Sequence, residues 1–540
     1  MRNSVYKILV LLFVLLFVFL MTGCKSNKTS GELSDVTSVP TTAENQEEEE
    51  EKIVIDHNVN IQNTVTNIAA DPLTVTEDLY RETNRPQLHY SSKSGWSNDI
   101  NGLVYYEGEY HMFYQHNPGS NYFGAISWGH AVSTDLIHWE ELPVAIPWGN
   151  GKVIWSGSCV VDENDTSGFF GGGSGLVAVF TYADTTRQNE QSVGIAYSTD
   201  KGRTFTKIPD SVITNDGEPA FRDPKAFWHE ESQKWICIVA GGPLRVYSST
   251  NLRDWTKESR NDDLWTECPD LYKMKVEGMD ESKWVLALAG EGYYIGDFDG
   301  KKFVPTQEKV LFDKSPDRYG AMTFNSMPDG RRVEIDWYGN WKYANDIAVD
   351  WPCNGVATIP VEWKLVKEDG VYKIRRDFIA EFDTLRGAKI YETQSGVLKE
   401  GAENPFGNIT ASTMDLCVRF RPVDGAKLNF SFFGGNGTEL TLTYNPADQT
   451  YSLDRTKLHL DYPDMMKTYT AKATPDKNGF VELRIVLDWS GIEVVANEGE
   501  TMLSAIYFGE EGCNQIKMFT TGGLVEIESM TAYRMNSIFN

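Results

Sequence analysis

A chain of 540 residues is too long for one hydrophobic core and calls for two or three domains. Its composition is 41% hydrophobic and 24% charged, with 15 Trp, 25 Tyr, 26 Phe and 46 Gly; this excludes a disordered or fibrous chain and favours short strands and turns over long helices. A formal net charge of −27 argues against nucleic acid and anionic lipid surfaces as partners and suits a neutral partner such as a sugar.

Arg2 and Lys7 precede an apolar run over residues 8–21, which is followed by Thr22, Gly23 and Cys24. A basic start, a short apolar stretch and small residues at a cleavage point predict a secretory signal over residues 1–24. Leu20 to Cys24 also resembles a bacterial lipobox, which implies that Cys24 is lipidated and holds an exported body at the cell membrane. An uncleaved membrane anchor is the alternative. Residues 25–82 are rich in Ser, Thr, Asn and Glu, including a run from Glu47 to Glu51. Such a segment cannot bury a core and is read as a flexible acidic tether. The 7 cysteines show no CxxC or zinc spacing, and His111, His116, His130 and His138 lack metal-ligand spacing. Neither a disulfide framework, a metal nor any other cofactor is predicted.

Residues 83–385 read as short apolar or aromatic strands broken by turns. A weak repeat runs through them: Ser133-Thr134-Asp135 before Trp139, Ser198-Thr199-Asp200 before Phe205, Ser249-Thr250-Asn251 before Trp255, and Asp297-Phe298-Asp299 before Phe303. Each is a strand end, a polar turn and an aromatic that starts the next strand. The recurrence at roughly 50–65 residues, with about four strands per repeat, predicts an all-β, five-bladed propeller, the fifth blade lying around Arg332 to Tyr338. An irregular β-sandwich with recurrent turns is the alternative. Residues 395–540 change texture to period-two alternation, as in Val481, Leu483, Ile485 and Leu487, and predict a β-sandwich.

Four stretches carry candidate chemistry. Asn98-Asp99-Ile100-Asn101-Gly102 has the residues of a turn and precedes a hairpin from Leu103 to Tyr114. Trp155-Ser156-Gly157-Ser158 opens a strand. Arg222-Asp223-Pro224 locks an acid between Arg and Pro ahead of Ala226-Phe227-Trp228. Glu267-Cys268-Pro269 places a Glu at the start of another strand. In a propeller the first residues of each innermost strand face the central cavity. Asp99, Asp223 and Glu267 fall at three such starts. Three acids converging on one funnel are costly unless the site uses them, and one should be neutral at working pH. Taken singly, each has an ordinary reading: a turn residue, half of an ion pair, a solvated strand start. Cys268 reads as a small packed residue, since no His is linked to it.

In order, Asn98 to Gly102, Arg222 to Pro224 and Glu267 to Pro269 resemble the three signature motifs of glycoside hydrolase family 32, the invertases, levanases and inulinases, and Trp155 to Ser158 is a flanking match. Tyr110 to Gln115, Trp128 to Ala131, Tyr338 to Trp341 and Leu487 to Asn497 add flanking similarity, from about Arg85 to the C-terminus. The resemblance implies a five-bladed propeller followed by a sandwich, and retaining hydrolysis of β-fructofuranosides such as levan, inulin or sucrose. It implies Asp99 as nucleophile and Glu267 as acid and then base, about 5–5.5 Å apart. Asp223 would grip fructose hydroxyls, with Arg222 keeping it charged and oriented. Asn98, Asn101, Gln115, Phe123, Trp155, Ser156, Arg222 and Trp341 would line the fructose subsite. The chain departs from the family pattern at Ile100, where Pro is usual, at Phe123, where Trp is common, and around Asp317 to Phe324 and Ile359 to Lys364. A sucrose-specialised or fructosyl-transferring enzyme on the same scaffold, an inverting hydrolase of arabinose or xylose chains, and a non-catalytic glycan-binding lipoprotein stay open.

Overall fold

The computed structural model describes residues 79–347, 353–435, 438–458, 462–508 and 514–539. Residues 1–24 with Cys24, and all of the expected tether up to residue 78, lie outside them. Among the described residues the regular elements are strands, apart from two short 3-10 turns, Thr185–Arg187 and Ala380–Leu385.

Five antiparallel sheets follow one another through residues 95–378. Their first strands are Gly95–Tyr106, Lys152–Asp162, Arg222–His229, Pro269–Lys275 and Tyr319–Thr323. In each sheet the chain then meanders outward through three further strands, with one extra short strand in the fourth. Cys353–Asn354 pairs in parallel with Gly95 and Trp96, so a late segment joins the first sheet. First strands of successive sheets lie side by side, and that of the fifth lies against that of the first.

The repeat seen in the sequence has a physical basis. Asp135 Oδ1 accepts from the backbone of Ile137 and His138 at 2.9 and 2.8 Å. Asn251 Oδ1 accepts from Arg253 and Asp254 at 3.0 and 2.8 Å. Asp299 Oδ1 accepts from Lys301 and Lys302, both at 2.8 Å, and Asp200 Oδ1 from Thr204 at 2.9 Å. Each marker ties the turn between the third and fourth strands of its sheet. The fifth sheet uses a tighter Asp369-Gly370 turn, with both residues at positive φ, and so carries no such marker.

One expectation is corrected. Asn98 to Gly102 is not a turn before a hairpin but part of the 12-residue strand Gly95–Tyr106, with irregular register between Ser97 and Ile100 and between Asn101 and Val104. A bulge needs the same Asx and Gly chemistry as a turn, with Gly102 at φ +55°. The hairpin turn lies at Glu107 and Gly108. Ile100 is buried in an apolar cluster with Leu103, Tyr114 and Met322, so packing rather than a Pro ring holds the irregular segment.

Two larger sheets, of seven and five strands, follow from Arg386 and share one apolar core that includes Leu416, Phe430, Leu442, Leu483 and Val494. Val481, Leu483, Ile485 and Leu487 line that core as the alternation predicts. The alternation breaks at Val486, which is buried on the opposite face with Val495 and Met502 against the N-terminal sheets. This edge of the seven-stranded sheet is covered on both faces, which a period-two pattern does not announce.

Candidate active site

All five first strands begin at one place. The first brings Asp99, the second Trp155 and Ser156, the third Arg222 and Asp223; Glu267 stands immediately before the fourth, and the fifth opens on Tyr319. Asp99 Oδ2 accepts from Ser156 Oγ at 2.7 Å and from the Cys268 thiol at 3.6 Å, and Oδ1 accepts from Asn98 Nδ2 at 3.0 Å. Asn98 is itself fixed by Trp96, whose indole N–H donates to its Oδ1 at 2.7 Å. Arg222 Nε donates to Glu267 Oε1 at 3.1 Å, Nη2 contacts the same oxygen, and Tyr319 OH donates to Oε2 at 2.6 Å. Asp223 Oδ2 accepts from the backbone N–H of Cys268 at 3.0 Å, and the Asp223 N–H donates to Thr181 Oγ1 at 2.9 Å.

Asp223 and Cys268 both hold positive φ, +59° and +37°. Non-glycine residues are uncommon there, and such backbone persists where surrounding structure imposes it. Here it turns the Cys268 N–H toward the neighbouring carboxylate.

Charge in the site is unbalanced, since three carboxylates meet one guanidinium. Burial pushes Asp99 above the ordinary carboxylate range; the Ser156 and Asn98 donors oppose this and Glu267 adds to it. Burial pushes Asp223 up to about 7, with Arg222 opposing and Glu267 and Asp99 reinforcing. Asp223 is thereby raised toward neutral pH. Burial and the same carboxylates keep the Cys268 thiol well above its usual value, so it is a protonated donor to Asp99 and no nucleophile. Arg222 reaches beyond its expected partner Asp223. Its Nε lies 3.9 Å from Asp223 Oδ2 and favours that carboxylate's charged form, while its hydrogen bonds go to Glu267 and, from Nη1, to Gln191 Oε1 at 3.3 Å. The Cys268 backbone N–H also orients Asp223.

The remaining expected residues divide into two groups. Asn101 is fully buried and braces the strands: Oδ1 accepts from Gly157 N at 3.1 Å, and Nδ2 donates to Asp99 O at 3.2 Å. Gln115, also buried, donates to Ile154 O at 3.2 Å. Phe123, Trp155 and Trp341 join Trp96 and Trp337 in an aromatic cluster, with Trp341 centred 5.4 Å from Phe123 and 4.9 Å from Trp337. Phe123 and Trp341 are only half-buried and present ring surface. Sequence reading missed Tyr319, Gly320 and Thr181. A Cβ on Gly320 would lie 3.0 Å from Asp99 Oδ1, so this position admits glycine alone without displacement. The available signal was the stretch Asp317 to Phe324, read only as a departure from the family pattern. Among the described residues no cluster of His, Cys, Asp and Glu fits a metal ion.

Residues 89–374 match the glycosyl hydrolases family 32 N-terminal domain, and residues 381–534 match the family 32 C-terminal domain. The chain is 34% identical over 490 residues to a levanase of Bacillus subtilis, covering 85% of this chain and 72% of that protein. It is 33% identical over 524 residues to an extracellular exo-inulinase of Aspergillus awamori, covering 85% of this chain and 96% of the relative. The crystal structure of an exo-inulinase from Aspergillus awamori superposes with a TM-score of 0.79 at 31% identity, over 85% of this chain and all of the other. A fructofuranosidase from Schwanniomyces occidentalis complexed with fructose superposes with a TM-score of 0.75 at 27% identity, over 86% of this chain and all of the other. With both domains matched in order and the signature carboxylates gathered at one site, the chain belongs to glycosyl hydrolase family 32 and is a glycoside hydrolase.

Proposed function

We propose that this enzyme releases fructose from β-fructofuranosides, levan, inulin or sucrose, with retention of configuration. The observation that carries the reading is the differing environment of two carboxylates in one cluster. Asp99 is aimed by Ser156 and Asn98, and Glu267 is gripped by Tyr319 and Arg222. Two acids with different surroundings divide the work of a retaining glycosidase. Asp99 attacks the anomeric carbon while Glu267 gives a proton to the departing oxygen. Glu267 then takes a proton from the water that cleaves the fructosyl-enzyme. Asp223 meets the fructose hydroxyls and stabilises positive charge on the ring in the transition state. The half-buried faces of Phe123 and Trp341 offer flat apolar surface to a sugar's C–H groups.

Relatives named levanase, extracellular exo-inulinase and fructan beta-fructosidase support a fructan as substrate. In the same reading the five N-terminal sheets are the blades of a propeller whose axis runs through the site, and the two C-terminal sheets form a sandwich, with domains over 83–385 and 395–540. The ring order of the first strands supports the propeller. Export followed by lipidation at Cys24 places the enzyme at the cell surface, where a polymer too large to import is met. Replacement of Cys24 by Ala should release activity into the medium.

The test is product analysis on levan, inulin and sucrose, following the anomeric configuration of the first product by NMR. β-Fructofuranose formed initially and fructose as the main product support the reading; transfer products would identify a fructosyltransferase. Initial inversion, or unchanged turnover in Glu267→Gln, would overturn the roles given to Asp99 and Glu267.

A further inference from the structure

Residues 317–320 touch the site at one end and the C-terminal part of the chain at the other. Tyr319 OH donates to Glu267 Oε2, and Gly320, at φ +67°, passes against the Asp99 carboxylate. Their two predecessors point elsewhere. Asp317 Oδ2 accepts from Arg455 Nη1 and from the backbone N–H of Ile506, both at 2.7 Å. Its Oδ1 accepts from Tyr343 OH, and its backbone N–H donates to Ser504 O at 3.1 Å. Arg455 also donates to Ile506 O at 2.8 Å. Arg318 Nη1 lies 3.6 Å from Glu493 Oε2 and donates to Ser504 Oγ at 3.5 Å; Nη2 reaches Glu334 Oε2 at 3.3 Å and contacts Asp336. Glu493, Ser504 and Ile506 belong to the seven-stranded C-terminal sheet and Arg455 directly follows the strand Thr450–Asp454 of the five-stranded one; the Asp317, Arg318 and Arg455 side chains are at most 1% exposed.

Buried ion pairs of this kind contribute little net stability, because apolar residues of the same volume serve as well. What they do impose is position, since charge-assisted hydrogen bonds are short and geometrically specific. Two consecutive residues held this way leave the following peptide no freedom to shift. The phenol that donates to Glu267 is thus placed by a strand end clamped from the C-terminal sheets.

We propose that Arg455 and Asp317 are positioning residues for catalysis: the C-terminal sheets set the geometry of the acid Glu267 through the Asp317-Arg318-Tyr319 segment. The proposal rests on the reading of Glu267 as the acid. The charged and titratable groups around that carboxylate are Arg222 and Asp223 from the third sheet, Asp99 from the first, Tyr319 from the fifth and its neighbour Cys268.

Tyr319→Phe removes one donor to Glu267. It should lower kcat by roughly ten- to a hundredfold with little change in KM. It should also move the alkaline limb of the kcat/KM profile to higher pH, because a donated hydrogen bond favours the ionised carboxylate. The double variant Asp317→Asn/Arg455→Met removes both buried charges together and leaves no orphan ion. It should show the same signature in a cooperatively melting protein: lower kcat, nearly constant KM and the same direction of limb shift. Arg421→Met breaks an exposed ion pair of the C-terminal sheets, that with Glu526, and should leave both readouts unchanged. A folded double variant with the wild-type kcat and pH profile overturns the proposal, as does a fall in kcat with an unmoved limb, which marks a merely structural role. If the double variant does not melt cooperatively, Tyr343→Phe decides the question, since it removes only a hydroxyl from Asp317; a shifted limb supports the proposal and a wild-type profile overturns it. Undiminished turnover in Glu267→Gln would remove the acid assignment beneath it, an outcome distinct from a silent double variant beside an inactive Glu267→Gln.

Discussion

Two of the clusters of buried charge among the described residues are built on opposite principles. At the ends of the first strands, Asp99, Asp223 and Glu267 face a single cation, Arg222, beside half-buried aromatic rings. Where the N-terminal sheets meet the C-terminal ones, Asp317, Glu334, Asp336, Asp488 and Glu493 are interleaved with Arg318, Arg376, Arg455 and His89. Both are rich in acids. Matched charge is a joint, whereas unmatched charge is held in place by the fold for a reaction.

Asp99→Asn separates the two clusters most sharply. It should lower fructose release by on the order of 10⁴-fold or more, exceeding the roughly 10²–10⁴ typical of an acid-base group, while leaving thermal stability near that of the wild type. Substantial retained activity would mean that the unmatched cluster is not where bonds are broken. In the matched cluster the signs reverse. Arg318→Met leaves Glu334, Asp336 and Glu493 without their common partner, and should cost about 3–5 kcal/mol in denaturant-induced unfolding. A loss below 1 kcal/mol would show that the joint does not depend on charge matching.

The joint should also be sensitive to alkali. Burial alone would lower the His89 pKa, but Asp488 Oδ2 at 2.7 Å and Glu493 Oε1 at 3.2 Å outweigh it and raise the ring to about 9. A cation whose folded pKa lies above its ordinary 6.5 stabilises fully below pH 6.5 and loses that contribution as pH rises through 9. Asp336, pushed up to about 8 by burial, acts in the same direction, because its ionisation above the ordinary carboxylate range disfavours the folded state. The stability advantage of wild type over His89→Gln should therefore shrink by up to about 3 kcal/mol between pH 6 and pH 9.5. An advantage that stays constant would mean that His89 is not the titrating group. The smallest effect is expected outside both clusters. Glu526→Gln breaks the exposed pair with Arg421, a 2.6 Å contact with side chains 42% and 37% exposed, and should cost under about 1 kcal/mol.

The unmatched cluster was largely legible in the chain. Asp99, Asp223 and Glu267 sit in short motifs whose residue types betray irregular backbone at strand starts, and the structure gathers them. Arg222 was visible too, yet its hydrogen-bond partner was not. Adjacency to Asp223 suggested that pair, which the structure holds as a 3.9 Å contact, whereas the guanidinium's hydrogen bonds reach Glu267, 45 residues on. Tyr319 carried a weak signal because nothing local distinguishes a tyrosine that donates to a carboxylate from one that packs. The matched cluster was illegible. Asp488 is 399 residues from His89, and Arg455 is 138 from Asp317. In the alternating C-terminal strands such acids read as solvent-facing positions.

By itself the sequence determined what is set within a few residues. That covers the strand texture, the Asx turns at Asp135, Asp200, Asn251 and Asp299, the change of pattern near residue 395 and the identity of the three acids. Each rests on backbone preference or side-chain bonds of short reach, which the chain carries in order. Only the tertiary structure decided which charges are balanced. Pairing, desolvation and the lift of Asp223 to about 7 depend on groups brought together from distant strands. The electrostatic work of burying a charge belongs to the assembled surroundings and to no single stretch of chain.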